Sequence, residues 1–117
     1  MSLSDATRRP DRLLDSLATF VPFVRRDLVL RNYDDERRYE VTLSARDDDG
    51  VAFRRRYSLE PGESRTERAV LEPGAYEVTV ESADSQRSAR CRVGGGAART
   101  IRVEAGNGTV TVSDGVS

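Results

Sequence analysis

Between Asp27 and Val112 the apolar residues recur at every second position in short runs, and each run ends at a turn signal. Tyr39, Val41, Leu43 and Ala45 alternate with Glu40, Thr42 and Ser44. Val51, Phe53, Tyr57 and Leu59 alternate with Ala52, Arg54, Arg56 and Ser58. Tyr76, Val78 and Val80, then Ala89, Cys91 and Val93, then Ile101 and Val103, and finally Val110 and Val112 repeat the pattern. Asp27–Arg31 is a shorter apolar run, and Ser64–Leu71 a weaker, more polar one. A period of two places alternate side chains on opposite faces of a pleated strand, so each run has one face to bury and one to solvate. The breaks carry turn chemistry: Asp47-Asp-Asp-Gly50, Glu60-Pro-Gly-Glu63, Glu72-Pro-Gly74, Ala83-Asp-Ser85, Gly94-Gly-Gly96 and Asn107-Gly108. Asn-Gly is the strongest short hairpin signal. Seven or eight half-buried strands call for two antiparallel sheets packed face to face, an all-β sandwich, over residues 27–113. The expected core is Leu28, Leu30, Val41, Leu43, Phe53, Tyr57, Tyr76, Val78, Val80, Cys91, Ile101, Val103 and Val110.

Residues 1–26 read differently. Leu13, Leu14, Leu17, Phe20, Val21 and Val24 recur at helical spacing, with Asp11, Arg12, Asp15, Ser16 and Thr19 between them. This predicts one short amphipathic helix, with Pro10 suited to its first position and Pro22 to its end. Asp15, Pro22 and Arg25-Arg26 interrupt the stretch too early for an export signal, and it falls short of the roughly 18 apolar residues of a membrane span. The expected location is therefore cytoplasmic. Residues 114–117 read as a frayed tail.

The inventory of side chains excludes much chemistry. The chain has 117 residues, no histidine and one cysteine. Lacking histidine, it lacks the usual general base and the commonest metal ligand. One cysteine allows neither an internal disulfide nor a Cys-based zinc site, and a blue-copper site needs two histidines. No cofactor and no metal are expected. Carboxylate pairs keep a small hydrolase open on residue type alone, but Asp and Glu concentrated in turns read first as solvated loop residues. Asp47-Asp48-Asp49 lacks the spacing of a helical calcium loop and reads as a hairpin tip. Cys91 falls on the inward face of its strand and reads as a small buried hydrophobe.

The charges nearly cancel, with 20 acidic residues against 19 basic and a net charge of −1. That balance points to neither nucleic acid nor an anionic membrane. Every basic residue is arginine. Absent lysine and the Asp47–Asp49 run suit a high-salt surface, whereas the balancing arginines do not. Arg54 and Arg56, with Arg90 and Arg92, and with Arg37 and Arg38 beside them, are placed by alternation on outward faces. They form a candidate basic face, or else a mixed surface of Arg–Glu cross-strand pairs. Arg55 falls on the face of Phe53 and Tyr57, so either it lies at a sandwich edge and snorkels, or a bulge re-aims it.

Asn32 after a short apolar strand, Tyr39-Glu-Val-Thr-Leu43, Leu59-Glu-Pro-Gly-Glu63 and Leu71-Glu-Pro-Gly-Ala-Tyr-Glu-Val-Thr-Val80 together resemble an immunoglobulin-like sandwich of the kind common in archaeal, including halophilic, proteins. The segment is similar to cell-adhesion-related (CARDB-type) and other Ig-like accessory domains. Its most characteristic piece is Pro73-Gly-Ala-Tyr-Glu-Val78, where a turn delivers an aromatic residue into an inward-facing strand. The resemblance covers roughly residues 27–112. It implies an Ig-like fold and, as one alternative, a membrane- or cell-surface-associated adhesion module. The Cys…Trp…Cys core of antibody domains is missing.

These readings converge on a non-catalytic interaction or structural module that acts through a protein partner or self-association. The candidate interaction surface is the stripe Leu13, Leu14, Leu17 and Phe20, which peripheral membrane contact would also use. The candidate basic face is Arg54, Arg56, Arg90 and Arg92.

Overall fold

A computed structural model of the chain describes residues 26–95 and 99–116. The expected N-terminal helix, and with it Leu13, Leu14, Leu17 and Phe20, lies outside the described residues. The described chain holds eight strands: β1 Arg26–Asn32, β2 Tyr39–Asp47, β3 Gly50–Leu59, β4 Ser64–Arg68, β5 Gly74–Glu81, β6 Gln86–Val93, β7 Arg99–Gly106 and β8 Thr109–Val116. They form two four-stranded sheets, β4-β1-β7-β8 (sheet A) and β3-β2-β5-β6 (sheet B). The last strand runs through Val116, where the sequence suggested a tail from residue 114. One pairing departs from the all-antiparallel expectation. β1 lies parallel to β7, with Leu28 opposite Ile101 and Leu30 opposite Val103. This is permitted because the crossover between them is the whole of sheet B, far longer than any parallel connection requires.

The turns follow their local chemistry. Asn107 (φ 53°) and Gly108 (φ 81°) both adopt the left-handed conformation, as a two-residue hairpin with the twist of its strands demands. Pro61 and Gly62 (φ 77°) close a turn in which the Glu63 amide donates to the Glu60 carbonyl at 2.9 Å. The similar tetrapeptide Leu71-Glu72-Pro73-Gly74 behaves otherwise. Gly74 opens β5, and the Tyr76 hydroxyl donates back to the Glu72 carbonyl at 2.5 Å. A tyrosine near the start of a strand that bonds to backbone a few residues upstream is the tyrosine corner of Ig-like sandwiches.

The core between the sheets contains every expected residue, with one qualification. Phe53 is only half-buried and packs against the core from its margin. It sits on β3, an edge strand beside a bulge: Ala45 pairs with Phe53 but Arg46 pairs with Val51, so Ala52 is the extra residue. The bulge reverses the alternation and turns Val51 outward, where it is 50% exposed instead of facing in with Phe53. Tyr39, Ala45, Leu59, Leu71, Val93 and Ala105 complete the core.

Two buried polar side chains tie the strands to their connections. Asn32 is fully buried at the end of β1. Its Nδ2 donates to the carbonyls of Arg37 (2.7 Å), Leu59 (3.1 Å) and Glu60 (3.1 Å), and its Oδ1 accepts the Asp34 amide at 2.9 Å. One side chain thus fastens sheet A to the β1–β2 loop and to the end of β3. Asp27, also fully buried, accepts the Leu71 amide at 2.7 Å and anchors the connection that crosses from β4 to β5.

Candidate interaction surface

A sandwich offers a partner its edges, its outer faces or the loops at its ends. The strand edges are guarded. β3 and β4 lie at the same side of the sandwich, one in each sheet. Arg55 sits on the inner face of β3, opposite Leu43, and its guanidinium reaches out to Glu67 of β4 at 2.7 Å. It snorkels at the edge, and the β3 bulge at Ala52 does not re-aim it. The same Glu67 oxygen accepts the Tyr57 hydroxyl at 2.8 Å. Burial, then the bond to Glu67, push the Tyr57 phenol well above its ordinary range. Arg65 lies over the Tyr57 ring and Arg55 over that of Phe53. An inward-pointing charge, a bulge and a run of three arginines are all devices that discourage a foreign strand from pairing with an edge.

The opposite side is closed by a carboxylate. Asp114 of β8 accepts the Arg92 main-chain amide of β6 at 2.6 Å and the Arg99 guanidinium of β7 at 2.8 Å. The Arg99 contact, then the Arg92 amide, hold the Asp114 carboxyl below the usual carboxylate range. The Val110 amide, directed away from β7, is capped by Ser85 Oγ at 3.3 Å.

The outer face of sheet B carries the four arginines singled out by alternation. Arg54 and Arg56 stand on β3, and Arg90 and Arg92 on β6. They share a face but not a patch: β2 and β5 lie between them, which separates the two pairs by about 14 Å at ordinary strand spacing. The strip between carries hydroxyls and carboxylates, with Arg46 of β2 in register with Glu77 of β5 at one end. Ser44 and Thr79 pair across it in register with Arg54, and Thr42 and Glu81 with Arg56. Arg56 approaches Glu40 at 3.9 Å, and Arg90 approaches Glu77 at 4.0 Å. Arg37 is drawn off to Asp84 at 2.9 Å, and Arg38 lies between Glu40 and Glu60. The face is thus a mixed-charge surface with basic margins, and its exposed pairs each contribute ~0.5 kcal/mol or less.

The other motifs resolve into structure. The Asp49 amide donates to the Asp47 carboxylate at 2.8 Å, a local turn at the β2–β3 hairpin tip. Among the described residues no group of three or more His, Cys, Asp or Glu is placed to hold a metal. Cys91 is buried between the sheets, and desolvation pushes its thiol up to about 11. Among the described residues no helix is long and apolar enough to cross a membrane.

Sequence reasoning missed one grouping. On the outer face of sheet A, Arg26 and Arg31 of β1 and Arg102 of β7 surround a concavity of about 200 Å3 over Val29. Arg102 is some seventy positions from the two β1 arginines in the chain, and the β1–β7 pairing brings them together.

No curated protein and no solved structure matches this chain. A family model does, over residues 37–117, which takes in β2 to β8 and leaves β1 outside the match. Two four-stranded sheets, a tyrosine corner at Tyr76 and a match across most of the chain agree: the chain belongs to the halobacterial Ig-like domain family.

Proposed function

We propose that the chain is a non-catalytic interaction module that engages a protein partner, or a second copy of itself, face-on rather than by strand addition. The observation that carries this reading is the guarding of the sandwich edges: Arg55–Glu67–Tyr57 on one side, and Asp114 with Arg92 and Arg99 on the other. A protein that worked by adding a strand would leave a long edge open. The outer face of sheet B, with Arg54, Arg56, Arg90 and Arg92 at its margins, is the surface such a partner would meet. The apolar stripe Leu13, Leu14, Leu17 and Phe20 is the second contact. Among the described residues Asp27 is the buried carboxylate and accepts a main-chain amide, while the partly covered Glu67 and Asp114 accept a hydroxyl, a main-chain amide and two guanidinium groups, an arrangement suited to a scaffold and not to acid–base work on a substrate.

The test measures molar mass against concentration for the full chain, and maps partner contacts by cross-linking in host extract. R54E/R56E/R90E/R92E and L13S/L17S/F20S are run in parallel, with liposome sedimentation as the membrane arm. Association or cross-links lost in the first variant at unchanged thermal stability supports the face-on reading. Contacts that run along β3 or β8 backbone edges, or that persist in both variants, refute it.

A further inference from the structure

The polar face of sheet A holds a second, more concentrated basic surface. Arg26, Arg31 and Arg102 line a concavity of about 200 Å3 together with half-buried Val29, exposed Ser64 and buried Thr100, the Arg102 guanidinium lying toward Gly115 of β8. The grouping is enforced by strand register. Val29 pairs with Arg102 and Arg31 with Glu104 across the parallel β1–β7 ladder, while Ser64 pairs with Arg31 across β4. Arg26 and Arg31 have no carboxylate within ion-pair distance among the described residues, unlike Arg37, Arg55 and Arg99. Among the described residues Glu104 is the carboxylate in the lining, and it accepts the Tyr33 hydroxyl at 3.4 Å. Arg31 is pre-positioned: its guanidinium lies 4.9 Å from the centroid of the Tyr33 ring. Thr100 Oγ1 donates to the Arg26 carbonyl at 2.8 Å and fixes the main chain there. Tyr33 itself is 57% exposed, the larger of the two exposed large hydrophobics among the described residues.

We propose that this concavity binds an oxyanion, a phosphate or sulfate group, held by Arg26 and Arg31 with Arg102 on its β7 side, any organic body attached to the anion lying against Tyr33. The guanidinium fork matches an oxyanion in a bidentate manner, and charge-assisted bonds of this kind are the strong ones. A side chain already held in place loses less freedom on binding, which favours Arg31 as the principal donor. The site is independent of the face-on reading of sheet B, since it lies on the opposite sheet, and much of it stands on β1, outside the family match.

The experiment titrates the full chain, isotope-labelled, with inorganic phosphate, sulfate and glucose 6-phosphate at constant ionic strength, with glucose as the uncharged control. Saturable shifts at the amides of Val29, Arg31, Ser64, Thr100 and Arg102 are expected. Arg31→Gln weakens binding about tenfold. Glu104→Gln, which removes the carboxylate that lines the concavity, tightens it. Arg90→Gln, on the other sheet, leaves it unchanged. Tighter binding of the sugar phosphate, lost in Tyr33→Ala, identifies an ester as the ligand; equal binding of phosphate and ester identifies the free anion. Shifts that rise linearly and spread over arginines of both sheets overturn the site, as does Arg31→Gln or Glu104→Gln binding like the unmodified chain.

Discussion

Replacing Asn32 by alanine removes one small side chain and disconnects three segments at once. Its two Nδ2 protons serve three carbonyls, and its Oδ1 serves one amide. The bond to the Leu59 carbonyl is fully buried, where water cannot take its place, and its loss costs about 1–3 kcal/mol. The Arg37 and Glu60 carbonyls and the Asp34 amide are only partly buried, so water replaces those bonds in part and their loss adds about 1 kcal/mol more. The sum, roughly 2–4 kcal/mol, is a large fraction of what a domain of this size has to lose. In urea, at a slope of roughly 1.5 kcal/mol/M, the midpoint falls by about 2 M with the slope unchanged. Asn32→Asp sharpens the test. It keeps the shape but sets a buried carboxylate against carbonyl oxygens, so its folded-state pKa is raised above the unfolded value of about 3.9. Above about 3.9 the unfolded chain ionises while the folded one still holds its proton, so the deficit against the parent chain deepens as pH rises from about 4 and levels off above the folded-state value. A midpoint for Asn32→Ala within experimental error of the parent, or an Asn32→Asp deficit that shrinks with rising pH, refutes the reasoning.

Other outcomes follow from the same contacts. Tyr76→Phe keeps the buried ring but leaves the Glu72 carbonyl without its donor, and destabilises by about 1 kcal/mol in denaturant titration. Glu67→Ala costs more than Arg55→Ala in the same assay. Glu67 also accepts the Tyr57 hydroxyl, whereas the Arg55 side chain is 53% exposed and its ion pair contributes ~0.5 kcal/mol or less. Asp114 is held below the usual carboxylate range in the folded state, so its contribution is present above the unfolded value and is lost as pH falls through the folded one. Thermal melts of the parent and of Asp114→Asn accordingly converge on acidification. Cys91, with its thiol pushed up to about 11 and its side chain buried, reacts with a thiol reagent at pH 8 only as fast as the chain unfolds, and adding denaturant accelerates the reaction sharply.

The strands and hairpins were legible because their causes are local. Alternation of apolar side chains assigns each residue to a face, and Asn107-Gly108 and Pro61-Gly62 carry backbone preferences that need no distant partner. Cys91 read as buried for the same reason. The outward placement of Arg54, Arg56, Arg90 and Arg92 was legible too, but the distance between the two pairs was not. Alternation says which way a side chain points and nothing about which strand lies next to it.

Strand neighbours are decided by pairings between segments far apart in sequence, and those pairings settled the rest. Once β3 became an edge strand, Phe53 could be only half covered, Val51 could turn out at a bulge, and Arg55 could reach solvent from an inward position. Once β1 lay parallel to β7, Arg26, Arg31 and Arg102 were gathered over Val29. Asn32 shows the division within one residue. The sequence marks it as the polar end of a short apolar strand, because polarity and position are local properties. That it is fully buried, and bonded to the loop before β2 and to the end of β3, was decided only when the two sheets packed, because hydrogen-bond partners twenty-seven and twenty-eight residues away exist only in the folded chain.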